Sequence, residues 1–217
     1  MLNKDEENFL IQFLTKDSVV LEYGSGGTTV AFGCDAKEWH SIEHDETWFN
    51  KVKESLISPK KTPRKYENVH CHFAKNTPLS PKERKRAVAE WGEPIVVDGI
   101  EKEFKDYIDM VDKIGVEKYD IVLIDGRART FCLKKILPYL KETSFVYVHD
   151  WQRPEYKTSE YLRHYTNKIV LQSPTRLNAP NKREVDGGDI KEMVRLSPRF
   201  RRKWNPMRFC TEFTIYE

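Results

Sequence analysis

The chain has 217 residues, of which 33% are charged, and its formal net charge is +3 at pH 7. This length suits one ordinary domain, or one domain with an inserted lobe, and is enough to bury a sizeable core. The small positive charge does not by itself indicate nucleic acid binding. No apolar run approaches the roughly 20 residues of a membrane span, and the acidic N-terminal stretch is atypical of a signal peptide.

The cysteines lie far apart and form no CxxC pair; they are Cys34, Cys71, Cys132 and Cys210. This spacing indicates neither a disulfide framework nor a zinc site. It predicts a protein of a reducing compartment, the cytoplasm.

The N-terminal part of the chain predicts a helix over residues 3–16, because Phe9, Leu10, Phe13 and Leu14 recur at helical spacing. A strand, a glycine turn and a second helix follow over residues 18–32. The apolar run from Val19 to Leu21 is typical of a buried parallel strand.

The turn after this strand consists of Gly24, Ser25, Gly26 and Gly27. Glycines allow a tight turn in which the backbone approaches a ligand closely. Thr28 is a candidate cap for the next helix. A strand, a glycine turn and a helix in this order are typical of nucleotide-cofactor sites, although a plain tight turn fits the same pattern.

Residues 37–43 predict a second strand that ends in an acid. Glu43 lies 19 residues after Gly24, where a carboxylate can accept hydrogen bonds from the two ribose hydroxyls of a cofactor. By itself Glu43 fits a surface acid equally well; together with the turn it indicates a ligand. Asp45 is a candidate cap for the helix that follows.

A polar, proline-bearing loop over residues 58–68 leads to a third strand over residues 69–73. The segment that begins with Ala74 then lies near the base of a bound nucleotide, by the topology of open α/β sheets. Residues 75–102 form a connection longer than usual. We interpret them as a lid or substrate loop over the site; a solvated surface excursion is the alternative.

After a predicted amphipathic helix over residues 103–114, residues 119–126 form the clearest buried strand. Asp125 ends this strand and therefore points to the reaction zone. Arg127 and Arg129 begin the next helix and oppose its dipole. This conflict favours a role for at least one of them in pairing with Asp125 or holding substrate, or else a structural salt bridge.

Residues 144–149 predict the next strand, with Asp150 and Trp151 at its tip. Further strands are predicted over residues 168–172 and 211–216, on either side of a polar loop and a basic tract at 195–208. The regular alternation of strands and helices predicts one α/β domain over residues 1–217 with a mostly parallel sheet.

The segments LEYGSGG, SIEHD, YDIVLIDGRAR and FVYVHDW resemble class I S-adenosylmethionine-dependent methyltransferases, over residues 18–165. Glu22 matches the acid of the family's first motif. Thr29 stands where a dinucleotide fingerprint has its third glycine. The resemblance implies a Rossmann-like fold with a mostly parallel seven-stranded sheet, helices on both faces and a final antiparallel strand.

The resemblance implies S-adenosylmethionine as cofactor, bound by Glu22, Gly24, Ser25, Gly26, Gly27, Thr28, Glu43, His44, Ala74 and Asp125. The combination of IDGRAR and HDW is similar to a branch whose relatives methylate hydroxyls, several of them on sugars. The acceptor is therefore expected to be a sugar or glycan, held by Arg127, Arg129, Trp151, Arg153 and Tyr156. Aromatic faces suit sugar stacking, and Trp91 and Trp204 are further candidates for it.

A sugar hydroxyl needs a base or a metal to develop alkoxide character. We assign catalysis to Asp125, His149 and Asp150. Resemblance to metal-dependent O-methyltransferases implies Mg²⁺ or Mn²⁺ on Asp125 and Asp150; direct proton removal by His149 or Asp150 is the alternative. Rival interpretations are an RNA methyltransferase, supported by the KERKR run at residues 82–86, an NAD-dependent oxidoreductase and a non-catalytic binding protein.

Overall fold

A computed structural model describes residues 6–7, 10–57 and 65–149, together with the backbone of two short strands at 167–169 and 213–215. Several expected features lie outside these residues: Asp150, Trp151, Arg153, Tyr156, Cys210 and the basic tract at 195–208. No helix among the described residues is long and apolar enough to cross a membrane.

The centre of the fold is a twisted α/β sheet. Its five parallel strands are β1 (Val19–Tyr23), β2 (Glu38–Glu43), β3 (Val69–Phe73), β4 (Tyr119–Ile124) and β5 (Leu140–Val148). Two short antiparallel strands, β6 (Asn167–Ile169) and β7 (Phe213–Ile215), continue it beyond β5. Five of the seven predicted strands therefore form the parallel part, in the order β3-β2-β1-β4-β5.

Helices cover both faces of the sheet, as predicted. They are α1 (Gly27–Phe32), α2 (Glu46–Ile57), α3 (Pro81–Trp91), α4 (Glu93–Asp98), α5 (Glu101–Ile108), α6 (Met110–Ile114) and α7 (Arg129–Lys135). Short 3₁₀ turns occupy Gly33–Asp35 and Leu137–Tyr139. The N-terminal helix is described only in part: residues 6, 7 and 10 are helical.

The alternation of side chains along β1 divides the core into two layers. Leu21 and Tyr23 face α4 to α7, where Val96, Tyr107 and Phe131 pack. Val20 faces the opposite layer, which contains Leu10, Trp39 and Phe32. Burial on both faces explains the almost continuous apolar runs of β1 and β4.

The segment at 75–102 is more regular than the sequence analysis expected. Ser80 and Glu83 form a reciprocal capping box and Pro81 occupies the first helical position, so α3 begins here. Ala87, Val96 and Ile100 are buried in the main core layer. The alternative of a solvated surface excursion does not fit these buried side chains, and the interpretation of the segment as a lid or substrate loop stays a prediction.

Three helix boundaries also differ from the predictions. Thr28 does not cap α1: the helix begins at Gly27, and Thr28 lies inside it, buried. The predicted helix over 103–114 is divided into α5 and α6 at Asp109. Only Arg129 belongs to α7, because Ala128 has a left-handed backbone and separates Arg127 from the helix.

Candidate cofactor and catalytic site

The site lies where the strand order reverses between β1 and β4, the position at which open α/β sheets bind ligands. The N–H of Asp125 donates to the carbonyl of Tyr23 at 2.9 Å, and the N–H of Gly24 donates to the carbonyl of Ile42 at 2.8 Å. These bonds bring together the turns that follow β1 and β4. The turn at 24–27 therefore lies at the carboxyl edge of the sheet, next to the residues that follow β4.

Glu22 is connected to the glycine turn by hydrogen bonds through Thr29. Its side chain is buried, and Oε2 accepts hydrogen bonds from Thr29 Oγ1 (2.5 Å), Trp39 Nε1 (2.9 Å) and Ser41 Oγ (2.9 Å). Burial raises the pKa of Glu22 to about 7, although the three donors act in the opposite direction. Thr29 Oγ1 in turn accepts from the Gly26 N–H at 2.9 Å. Glu22 thus shapes the turn through Thr29, and direct contact with a cofactor stays a prediction.

Glu43 ends β2 beside the same turn. Its Oε1 accepts from the backbone N–H groups of His44 (2.8 Å) and Asp45 (2.9 Å), which fixes the orientation of the carboxylate. Its Oε2 accepts from Ser25 Oγ at 3.3 Å. The predicted ribose acid and the predicted glycine turn are therefore in direct contact.

A cavity of about 420 Å³ opens beyond the ends of β2 and β3. His44 lines it, and its ring makes edge contacts with Phe104 and Tyr107 at centroid distances of 5.2 and 5.4 Å. Ala74 is buried between Phe73 and Lys75, both of which line the cavity, and its N–H donates to the Glu43 carbonyl at 2.9 Å.

Lys75 and Asn76 line this cavity and belong to the segment after β3 that the sequence analysis placed near the base. Glu103 and Phe104 also line it and were not predicted as site residues. Phe104 gave no signal of a site, because its periodicity indicated only the buried face of a helix. Its place in the site depends on how α5 packs across the sheet.

Asp125 and His149 follow the ends of the neighbouring strands β4 and β5, and their side chains lie close together. The distance from His149 Nε2 to Asp125 Oδ1 is 3.9 Å. His149 Nδ1 lies 3.0 Å from Tyr147 Oη and 3.6 Å from Glu6 Oε1. The carboxylate of Asp125 is also 4.0 Å from the Arg129 guanidinium. This arrangement can hold an imidazole between a phenol and two acids, which suits proton transfer.

The two predicted substrate arginines lie in different surroundings. Arg129 is buried, and its guanidinium donates to the carbonyls of His149 (2.6 Å) and Gly126 (3.0 Å). It therefore joins the ends of β4 and β5, a structural role. Arg127 is exposed at the cavity mouth, where it makes one long bond, 3.4 Å, to the Val97 carbonyl.

Of the two predicted metal ligands, Asp125 lies within the described residues and Asp150 lies outside them. Among residues 6–7, 10–57 and 65–149, no group of three or more His, Cys, Asp or Glu side chains could hold a metal ion. The Arg129 guanidinium, 4.0 Å away, is a cationic neighbour of Asp125.

No family model matches the sequence, and no curated protein matches it. Solved structures do. A methyltransferase-like protein from Silicibacter pomeroyi is 22% identical over 78% of this chain and 82% of its own, with a TM-score of 0.56. An rRNA methylase from Streptococcus thermophilus is 16% identical, with coverages of 84% and 93% and a TM-score of 0.51.

A protein from Streptococcus mutans, solved in complex with SAH, is 18% identical, with coverages of 84% and 95% and a TM-score of 0.52. At these identities the similarity establishes the fold, the Rossmann-like class I methyltransferase fold, and the sequence prediction of that fold is confirmed.

Proposed function

We propose that the protein is an S-adenosylmethionine-dependent O-methyltransferase that acts on a hydroxyl of a sugar or glycan. The observation that carries the cofactor assignment is the contact between Ser25 of the glycine turn and the buried carboxylate of Glu43. It combines a bare backbone turn with an oriented acid at the tip of β2, the two features that a nucleoside cofactor requires.

The residues of the turn fit S-adenosylmethionine better than NAD. Thr29 stands at the third position of the dinucleotide glycine pattern, is fully buried, and bonds both Glu22 and the Gly26 N–H. A glycine there would remove the hydrogen bonds that join Glu22 to the turn. Glu43 would hold the ribose, and the cavity beside His44 and Asn76 would take the base.

S-adenosylmethionine supplies an electrophilic methyl group to an acceptor oxygen. The protein must align that oxygen, remove its proton and exclude water. His149 would accept the proton, with Asp125 stabilising the imidazolium that forms and Tyr147 holding the opposite ring nitrogen. Asp150 remains a proposed second base.

Support for a sugar acceptor comes from the similarity of IDGRAR and HDW to hydroxyl methyltransferases. Arg127 is exposed at the cavity mouth, and it would hold acceptor oxygens there. Trp151, Arg153 and Tyr156 are proposed to complete the acceptor site. Trp91, by contrast, ends α3 and packs edge-on against Phe131 at 5.4 Å, so it is explained by packing.

The cofactor assignment is tested by calorimetric titration of S-adenosylmethionine and of NAD into the wild type, Glu43→Gln and Glu54→Gln. Glu54 is an exposed acid of α2 and serves as the control. We expect S-adenosylmethionine to bind with micromolar affinity, unchanged by Glu54→Gln and weakened at least tenfold by Glu43→Gln. Binding of NAD alone, or of neither ligand, would refute the assignment.

The acceptor is tested by transfer of a labelled methyl group to a panel of monosaccharides, glycans and RNA. RNA is the second candidate, because Lys82, Arg84, Lys85 and Arg86 are all exposed on α3 beside the cavity. Label in RNA, with transfer that falls steeply as salt rises, would favour that candidate. Label in sugars supports the first.

A metal-assisted reaction is the remaining alternative for proton removal. Turnover in EDTA, with Mg²⁺ or Mn²⁺ added back, distinguishes it from direct catalysis by His149. Unchanged turnover in EDTA supports the direct mechanism. Loss that only Mg²⁺ or Mn²⁺ restores would mean that Asp125 and Asp150 hold a metal, as the resemblance implies.

A further inference from the structure

A closed cycle of hydrogen bonds joins the glycine turn to the start of α2. Glu43 Oε1 accepts from the Asp45 N–H at 2.9 Å, and Asp45 Oδ1 accepts from the Trp48 N–H at 2.7 Å. The indole Nε1 of Trp48 donates to the Ser25 carbonyl at 2.5 Å. Ser25 Oγ then donates back to Glu43 Oε2 at 3.3 Å.

Trp48 occupies an unusual position for a tryptophan. It is 46% exposed, although it lies directly over the turn that the proposed cofactor would touch. Its indole nitrogen would be 3.7 Å from a Cβ built on Gly26, so no side chain lies between the ring and the turn. A large aromatic residue with this exposure contributes little to the core. Lys51 Nζ lies 5.6 Å from the centroid of its ring, and its contact with the turn is the bond to the Ser25 carbonyl.

The two ends of this bond belong to elements that are otherwise fixed. Asp45 caps the helix end from which Trp48 projects, so the backbone of Trp48 is held. Thr29, bonded to the buried Glu22, holds the far end of the turn through the Gly26 N–H. The Ser25 carbonyl lies between these supports and accepts its bond from the Trp48 indole.

We infer that Trp48 is a positioning residue for the cofactor, which holds Ser25 and the glycine turn in the conformation that receives the ligand. This inference rests on the proposed cofactor site. Without the bond the turn would sample other conformations, and binding would then have to order it. The expected effect falls on the affinity for cofactor, while turnover at saturating cofactor stays nearly unchanged.

The test compares Trp48→Phe, which keeps an aromatic ring and removes the donor, with Trp91→Phe, a control at a tryptophan of similar exposure on α3. The net free energy of one hydrogen bond corresponds to roughly three- to tenfold in affinity. We expect S-adenosylmethionine to bind Trp48→Phe weaker by that factor and Trp91→Phe with wild-type affinity. The inference would be overturned if wild type and Trp48→Phe bound S-adenosylmethionine with equal affinity, whether or not the melting temperature of the variant was lower.

Hydrogen exchange without any cofactor separates this inference from the proposed function. We expect the amides of residues 24–29 to exchange faster in Trp48→Phe than in the wild type or in Trp91→Phe. Unchanged exchange there would overturn the inference even if the cofactor binds. Failure of the wild type to bind S-adenosylmethionine would instead refute the proposed function, and the exchange rates would still decide whether Trp48 holds the turn.

A double-mutant cycle with Ser25→Ala tests whether the four residues act as a unit. Ser25→Ala removes the bond to Glu43 and keeps the carbonyl that Trp48 binds. If the four hydrogen-bonded residues act as a unit, the losses of cofactor affinity in Trp48→Phe and Ser25→Ala are not additive in the double variant. Strict additivity would overturn the claim that Trp48 positions the turn together with Glu43.

Discussion

Gly24 and Gly126 cross so closely that a Cβ built on Gly24 would lie 2.6 Å from the Gly126 backbone nitrogen. Gly24 also has a φ of +95°, which side chains rarely adopt. The contact joins the turns after β1 and β4, the two strands that flank the proposed site. The Gly126 backbone occupies the place of a side chain on Gly24, whereas a Cβ built on Gly126 would meet the Tyr107 hydroxyl and lie 3.1 Å from the Gly24 backbone.

Gly24→Ala is therefore expected to lower the free energy of unfolding by roughly 3 kcal/mol or more, from backbone strain and overpacking together. Gly115→Ala is the matched control, since Gly115 has a φ of +81° with nothing within 4 Å of its added Cβ. It should lose only the left-handed strain, about 1 kcal/mol. Urea denaturation of both variants measures the difference; equal losses would contradict the crossing.

Glu22 should make the fold less stable as pH rises, whereas a carboxyl group whose pKa is lowered on folding makes the fold more stable as pH rises. Its pKa is about 7 in the fold against 4.5 for an unperturbed carboxyl. The folded state therefore binds the proton more tightly, and stability from this group is present below pH 4.5 and lost as pH rises to about 7.

Glu22→Gln replaces the titrating carboxyl group with an amide that does not titrate. The amide oxygen can still accept hydrogen bonds from Thr29, Trp39 and Ser41. We expect the stability of the variant relative to wild type to improve by on the order of 3 kcal/mol between pH 4.5 and pH 7. Denaturation at a series of pH values measures this difference. A difference that does not change with pH would show that Glu22 is ionised throughout.

Histidines on neighbouring strands should destabilise the fold in acid. Burial, with the nearby rings of His40 and His70, lowers the pKa of His72 to about 4, and burial also lowers the pKa of His40. His40 Nδ1 lies 3.2 Å from His72 Nε2, and Glu38 bonds the other nitrogen of His40. The unfolded chain binds protons from about pH 6.5, so stability from His72 is complete above that value and falls as pH drops to about 4.

His72→Gln should therefore show a shallower loss of stability than wild type over this pH range. Melting temperatures at pH 4.5, 5.5, 6.5 and 7.5 test the expectation. Parallel curves for variant and wild type would mean that His72 takes up its proton in the folded state as easily as in the unfolded chain.

Arg129 and Arg127 are expected to differ strongly in their effect on stability. Arg129→Ala leaves Asp98 without its buried cationic neighbour, 3.9 Å away, and removes the donors to Gly126 and His149. Loss of one member of a buried pair costs about 3 kcal/mol or more.

Arg127→Ala should change stability by less than about 0.5 kcal/mol, because the side chain is exposed. Thermal and urea denaturation of both variants measures the contrast. Similar losses for the two arginines would contradict the structural assignment of Arg129. Arg127→Ala is also the variant in which to look for loss of acceptor binding, since stability is retained.

Local patterns were enough to predict the elements on which the site depends. The apolar runs of β1 and β4 indicated buried parallel strands, and the spacing from Gly24 to Glu43 indicated a cofactor turn with its acid. Topology rules then placed Asp125 and the His149–Asp150 pair at neighbouring strand ends, because parallel strands end at one edge of a sheet. The helix α3 was missed although Ser80, Pro81 and Glu83 gave a local signal for it.

The sequence by itself therefore determined which functional groups follow the successive strands: a glycine turn, a ribose acid and two groups at later strand ends. Each can be recognised from a pattern within a few residues of the strand. Only the tertiary structure decided which partner each polar side chain takes. Glu22 lies beneath the turn with Trp39 and Ser41, Arg129 joins β4 to β5, and Trp48 reaches Ser25. Such bonds join residues distant in sequence, and short-range periodicity carries no information about which of many donors will meet a given acceptor.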